Sequence, residues 1–412
     1  MALKEESVKP RSGRGRLGVR LFAVTAAATL LAACGSTPSD TADEPAAGGG
    51  SSEGPIKVGA IQSVTGPLAP SGIPEQHATE AAIKAINDNG GIDGRELELV
   101  FYDAAGDTTT AVNLTRRLIQ EDEVDLVVGG GTSSGIALAM KPILQQAGIF
   151  FMSTEAADQI VNPAAEAPLT FASTLSTNIV VQAMMENLKE QGVKKVGVLA
   201  DSTAYGQSGI DGANAASGST GIEVVAATYD PASTDLTPDI NKLTDAGVEA
   251  YINWTSGTSG VLFMQNAQTL DLQSKGPVML SFTFSNPAMM KQGGAAAEGI
   301  TVAGVKATVY QDLDDSDEQK AGLEELAAAI ETYDEIPTIQ ASQTWDAMNI
   351  AAAAIEEAGS TEGSAIAKAL EGLTHVGTQG TYEYSADDHR GLDTSVPIIM
   401  TWDGTKHVAV ED

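Results

Sequence analysis

Residues 124–135, VDLVVGGGTSSG, hold the side chains whose types and spacing could do chemistry. Within them Gly131-Thr132-Ser133-Ser134-Gly135 fits G-x-S-x-G between an apolar strand and a run of helical spacing, as the elbow of a serine nucleophile would. A secreted α/β hydrolase with Ser133 as nucleophile would need an acid and then a histidine downstream, and His375, His389 and His407 are available. The same loop also suits binding without reaction. Glycines at the carboxyl end of a strand permit positive φ or the close approach of a ligand, and ligands of open α/β sheets bind at that end. Ser133 or Ser134 would cap the next helix, leaving free N–H groups and the positive end of its dipole at one spot, where a carboxylate sits well.

Other chemistries are poorly served. The acidic run 312–318, DLDDSDE, lacks the glycine of a calcium loop and has Leu323 where the terminal glutamate belongs, so it reads as a solvated loop. One cysteine and four histidines give no zinc spacing and no internal disulfide, so neither metal nor cofactor is expected. A formal charge of −32 over 412 residues repels nucleic acid.

The start of the chain has its own logic. Arg11, Arg14, Arg16 and Arg20 precede the apolar stretch 21–31, which is much shorter than the roughly 20 residues of a membrane span, so residues 1–33 read as an export signal. The stretch ends in Leu31-Ala32-Ala33-Cys34, which resembles the bacterial lipobox; Cys34, the only cysteine, is then the expected lipidation site. Residues 34–54 are small, polar and rich in Gly, Pro and Ser, a flexible tether reaching about 25 Å. Two acyl chains would hold the protein at the outer face of the cytoplasmic membrane.

The elements that must position the glycine loop alternate. Strands are predicted at 56–61, 97–102, 124–128 and 149–152, with helices at 75–87, 108–120 and 136–146 between them. Strand and helix runs of this length make βαβ units and a parallel sheet. Residues 155–175 lack a strong period, after which a second series runs from helix 178–190 to strand 278–280. A strand at 300–302, helices at 317–333, 339–357 and 361–370, and a hairpin at 396–410 complete the chain. Two serial α/β halves are not one hydrolase sheet, and the length suits two lobes.

At this point a resemblance becomes specific. Gly66-Pro67-Leu68, Ala85-Ile86-Asn87 followed by GGIDGRELELVFYDAAGD, the VVGGGTSS loop, Tyr205-Gly206 and Ala297-Glu298-Gly299-Ile300 resemble, in this order, the type I periplasmic binding proteins of the leucine, isoleucine and valine family. The resemblance implies an α/β fold of two Rossmann-like lobes with parallel-type sheets joined by three hinge crossings, near Ser176, Gly304 and Gln379. Lobe 1 would hold 55–175 and 304–378, lobe 2 176–303 and 379–412. It further implies no enzyme activity, a monomer that captures a small-molecule ligand by lobe closure, and ABC permease subunits as membrane partners.

Carried over by position, Ser133 is the serine that holds a ligand carboxylate with neighbouring backbone N–H groups, and Thr132 and Ser134 flank it. In the second loop Glu155, Ala156 and Ala157 depart from the family: Glu155 takes the place of a small residue and Ala157 that of a threonine. Tyr205 is the aromatic wall over the ligand; Trp254, Thr255 and Ser256 line the facing rim. Phe282 stands where branched-chain members keep a glutamate for the ammonium, and Trp345 aligns with an aromatic near the cleft, although its helical spacing suits a core residue equally. Either Glu155 has taken over the ammonium or the ligand has none. A small carboxylate-bearing ligand, an amino acid first, is expected; an amide, an aromatic acid or another ligand that is not an amino acid is the alternative.

Overall fold

The structure, a computed structural model, describes residues 54–410. The expectations on the signal peptide, on Cys34 and on the tether, Gly54 apart, lie outside the described residues. Among the described residues no helix is long and apolar enough to cross a membrane.

The first series of elements is β1 (Ile56–Gln62), α1 (Ala69–Asp88), β2 (Leu97–Asp103), α2 (Thr108–Arg117), β3 (Leu126–Gly129), α3 (Ser134–Ala147), β4 (Phe150–Ser153) and β5 (Thr170–Ala172). Its strands form one parallel sheet in the order β2-β1-β3-β4-β5. β3 and β4 are buried along their whole length, as a parallel sheet with helices on both faces requires. Residues 155–175 do contain a strand, β5, but three residues paired on one side only are too few to show a period.

The second series is α4 (Thr177–Glu190), β6 (Lys195–Asp201), α5 (Ala204–Thr220), β7 (Glu223–Tyr229), α6 (Thr237–Asp245), β8 (Ala250–Trp254), α7 (Thr258–Thr269), β9 (Val278–Leu280), α8 (Pro287–Gly293) and β10 (Thr301–Gly304). Helices α9 (Lys320–Ile330), α10 (Ile339–Ala358) and α11 (Gly363–Leu370) then return to the first sheet, α9 and α10 against α1 and α11 against β4. A hairpin of β11 (Thr374–Val376) and β12 (Thr381–Glu383) follows, and β13 (Ile398–Trp402) and β14 (His407–Ala409) close the second sheet. That sheet runs β14-β13-β10-β9-β8-β6-β7, with β13 and β14 antiparallel. The fold is two-lobed α/β, and the chain passes between its sheets three times: after β5, after β10 and after β12.

The third passage comes late. Ala172 donates its N–H to the His389 carbonyl at 2.9 Å, and the Tyr382 and Tyr384 hydroxyls donate to the Ser173 and Ala172 carbonyls. Residues 382–389 therefore still belong to the edge of the first sheet, downstream of Gln379.

Helix α1 also starts earlier than the apolar period suggests, at Ala69 rather than Glu75. Pro70 suits a first turn, where its missing N–H costs nothing. Pro74, however, cannot donate to the Pro70 carbonyl one turn back. Asn286, at the start of α8, fills that vacancy from the other lobe with its side-chain amide at 3.3 Å.

Candidate ligand-binding site

The glycine loop after β3 is held by its own backbone. Gly131 has φ +70°, and a Cβ there would stand 2.3 Å from Ile136 Cγ2, so the loop folds onto α3 only with glycine. The next residue, Thr132, is β-branched and still has φ +58°, a conformation sustained only when its surroundings over-determine it. They do: the Thr132 hydroxyl accepts from the Ser63 N–H at 3.0 Å and donates to Glu75 Oε2 at 2.6 Å. With both roles used, Thr132 orders the loop and offers little to a ligand.

Ser133 has extended backbone at the start of α3, and its hydroxyl makes no capping bond. Ser134 does not cap either. Its hydroxyl accepts the Ala157 N–H at 3.3 Å, tying the glycine loop to the loop after β4. The cap reading is thus corrected: Ser133 stands at the N-cap position without a side-chain bond, Ser134 bonds elsewhere, and neither hydroxyl satisfies the first-turn N–H groups of α3.

The cleft is a cavity of about 420 Å³, lined from both lobes and large enough for an amino acid or a small amine. Of the residues expected from sequence, Thr132, Ser133, Ser134, Glu155, Ala156, Tyr205, Ser256 and Phe282 line it. Three do not. Ala157 is fully buried and serves the loop through its backbone. Trp254 lies behind the wall, its ring centroid 5.4 Å from Tyr205 and 6.0 Å from Phe282. Trp345 packs into the core on α10, which agrees with its helical spacing. Thr255, at the rim by sequence, is buried and donates to Asp201 Oδ2 at 2.5 Å.

Tyr205 and Phe282 face the cavity 6.2 Å apart, edge to face, with Trp254 as backing. Tyr205 is aimed by the start of α5, where Thr203 caps the helix by accepting the Gly206 N–H at 3.1 Å.

Two carboxylates dominate the opposite wall. Glu75, on α1, accepts from Thr132 and, at 3.0 Å, from Gln343 Nε2 on α10. Burial pushes its carboxyl up to about 7 despite those two donors. Glu155 is raised well above the usual carboxylate range, first by burial and then by the charge of Glu75. The Thr154 hydroxyl, the Ser133 N–H and Arg390 oppose that rise. Asp201 adds a third acid, and no lysine, arginine or histidine is among the lining residues.

Glu75, Gln343, Asp201, Thr154 and Thr203 were not singled out by sequence. Glu75 had a signal: it precedes Ala78, Thr79 and Ala82 on the buried stripe of α1, so its carboxylate had to point inward. Gln343 carries none, because α10 is buried on nearly every side.

Arg390 is the buried support of this wall. Its guanidinium donates to the carbonyls of Thr174 at 2.8 Å, Glu155 and Ala157 at 3.3 Å, and Leu175 at 3.5 Å. It joins the loop that carries Glu155 to the first passage between the sheets.

The hydrolase reading fails on geometry. His389 Nδ1 faces the Ala167 and Thr170 carbonyls at 3.1 and 3.0 Å, His77 pairs with Glu335, His375 lies on β11, and His407 is buried against Trp402. Among the described residues no histidine lines the cleft to act as a base for Ser133. The acidic run is likewise spoken for: Lys406, Lys320 and Lys306 pair with Asp312, Asp315 and Asp317. No group of three possible metal ligands occurs among the described residues.

The chain is 29% identical to a Leu/Ile/Val-binding protein homolog of Brucella melitensis over 86% of this chain and 94% of that one. It is 28% identical to the leucine-, isoleucine-, valine-, threonine- and alanine-binding protein of Pseudomonas aeruginosa, over 77% and 83%. In fold it is similar to an extracellular ligand-binding receptor of Rhodopseudomonas palustris, with a TM-score of 0.79 and 23% identity over 87% of this chain and 100% of that one. A branched-chain amino acid transporter substrate-binding protein of Streptococcus pneumoniae, in complex with isoleucine, gives 0.74 and 22% over the same shares. The periplasmic binding protein family matches residues 55–405. The chain belongs to that family, and it is a non-catalytic solute-binding protein.

Proposed function

We propose that this protein captures a small solute through a protonated nitrogen, with the ammonium end between Glu75 and Glu155 and the apolar end against Tyr205 and Phe282. The observation that carries this reading is the wall itself: three acids and no base line the cavity. A cation entering there meets acceptors already aimed, and the aromatic faces opposite take the apolar end of the solute. Phe282, which stands where branched-chain members of the family keep a glutamate, supplies apolar surface, and the acids Glu75 and Glu155 stand on the opposite lobe.

A second reading, an α-amino acid with its carboxylate on Ser133, has its own support. The Ser133 hydroxyl makes no cap bond, and the relatives are named for branched-chain amino acids. Calorimetry with amines, amides, amino acids and organic acids tests both. Binding confined to organic acids without nitrogen would defeat the first.

Closure would swing lobe 1, residues 55–175 and 304 to about 391, against lobe 2, the remainder of the globular chain. This moves the third crossing from Gln379 to the span between Arg390 and Ile398, because the His389 and Tyr382 bonds hold the preceding residues to β5. Cys34 would carry the lipid anchor beside the permease, with residues 35–54 as tether. Metabolic labelling with a palmitate analogue, lost in Cys34→Ser, checks it.

A further inference from the structure

The loop at the start of α3 was expected to grip a ligand carboxylate. In the structure a carboxylate is already there. Glu155 lies along Gly130 so closely that a Cβ on Gly130 would stand 2.4 Å from its Cγ and 3.2 Å from its Oε1. The Ser133 N–H, whose bond to the Gly130 carbonyl is a long 3.4 Å, lies close enough to the Glu155 carboxyl to favour its charged form. The Thr154 hydroxyl adds a contact at 3.5 Å.

The side chain is in place because its backbone is. The Glu155 N–H donates to Ser153 Oγ at 3.1 Å, and its carbonyl accepts from the buried Arg390. Glu155 is 9% exposed.

We propose that Glu155 is the specificity-determining residue of the cleft: its carboxylate fills the anion notch at the start of α3, so the site takes small organic ammonium compounds that lack a carboxylate and rejects the corresponding amino acids. This rests on the reading of the cleft as a site for protonated nitrogen. A ligand carboxylate would have to displace Glu155 from the Ser133 N–H and then face Glu75, Glu155 and Asp201 with no basic side chain in the lining. Burial holds both Glu75 and Glu155 above the usual carboxylate range, the charge of Glu75 adding to the rise at Glu155, and a further negative group in the cavity adds to that cost. An ammonium group finds the reverse: Glu155 fixed at one side and Glu75, oriented by Thr132 and Gln343, at the other.

Four probes that share the isobutyl group of leucine test it by calorimetry on the purified exported chain: leucine, leucinamide, isoamylamine and isocaproate. The wild type is expected to bind isoamylamine or leucinamide at least about tenfold more tightly than leucine, a difference of about 1.4 kcal/mol. Glu155→Ala empties the notch and is expected to gain leucine and isocaproate binding while losing preference for the amine. Glu155→Gln keeps the notch filled without the charge: it is expected to lose amine binding and still reject isocaproate, which separates filling from charge. Leucine bound by the wild type as tightly as isoamylamine overturns the proposal and leaves the nitrogen reading standing. Isocaproate as the tightest wild-type ligand overturns both. Should the wild type bind none of the four, Glu155→Ala decides: a gained isocaproate site supports the filled notch, and none overturns it.

Discussion

Thr132 and Glu75, 57 positions apart in sequence, meet at 2.6 Å, and that bond joins the glycine loop to the first helix at the floor of the cleft. One hydroxyl holds three things in place: its own left-handed backbone, the Ser63 amide and a carboxylate buried against its preference.

Thr132→Val keeps the branched shape and removes the hydroxyl. The Ser63 N–H and Glu75 each lose a partner in a buried place, so a destabilisation of about 2 kcal/mol is expected. Urea unfolding measures it. A loss below a few tenths would mean that water or another group replaces the bond.

The free protein should be more stable in mild acid than its other carboxylates suggest. Glu75 is raised from 4.5 to about 7, so the folded state holds its proton more tightly than the unfolded chain does. Its contribution is full below about 4.5 and is lost as pH rises through about 7, on the order of 3 kcal/mol in all. Glu155, raised as well, acts in the same direction, and Asp201 in the lining and Arg390 behind Glu155 are the other charges of the cavity. Glu75→Gln should flatten the fall of Tm between acid and neutral pH. An unchanged profile would show that Glu75 is ionised at acid pH.

Ligand affinity should run the other way. An ammonium ligand needs Glu75 ionised, so affinity should fall as pH drops through about 7, and Glu155, raised as well, pushes in the same direction. Calorimetry in buffers of different ionisation enthalpy should show proton release on binding. Proton uptake would contradict the ammonium reading.

Arg390→Met keeps the apolar stem and takes a donor from four carbonyls, of which that of Ala157 keeps another, the Ile160 N–H. A loss of about 3 kcal/mol is expected, since each buried carbonyl left unpaired costs about 1–3 kcal/mol and not all will stay dry. Hydrogen exchange should quicken at residues 155–157 and 173–177 together. Faster exchange at only one of them would deny that Arg390 couples the Glu155 loop to the crossing.

Asn286→Asp separates capping from lobe contact. The carboxylate still caps α8, as Asn286 Oδ1 does toward Ala288 at 3.0 Å, but cannot donate to the Pro70 carbonyl or to Gln340. Thermal stability should stay within about 1 kcal/mol. Small-angle scattering of the free protein should show a larger radius of gyration. An unchanged radius would mean that the lobes do not depend on this contact.

Local pattern carried the sequence a long way. The apolar runs at β1, β3, β6 and β8, the spacing of α1 and α10, and the serial order of the halves are properties of neighbours in the chain. They were enough for two α/β lobes and for the loops at the strand ends, because the carboxyl ends of parallel strands must gather on one edge. Ser133, Glu155, Tyr205 and Phe282, carried over from the family resemblance onto those loops, do line the cleft.

What the tertiary structure decided is the sign of the cleft. Glu75 and Gln343 come from helices, 268 positions apart, and meet only because α1 packs on α10. Trp254 and Trp345 have the composition of ligand contacts and the burial of core residues, a distinction that depends on what stands in front of them. Whether the glycine loop faces a guest's carboxylate or the protein's own turns on Glu155 lying against Gly130, a contact between two loops that sequence spacing cannot fix. Chain-local forces choose the elements; the charge a cavity presents is a sum over residues that folding alone brings within reach of one another.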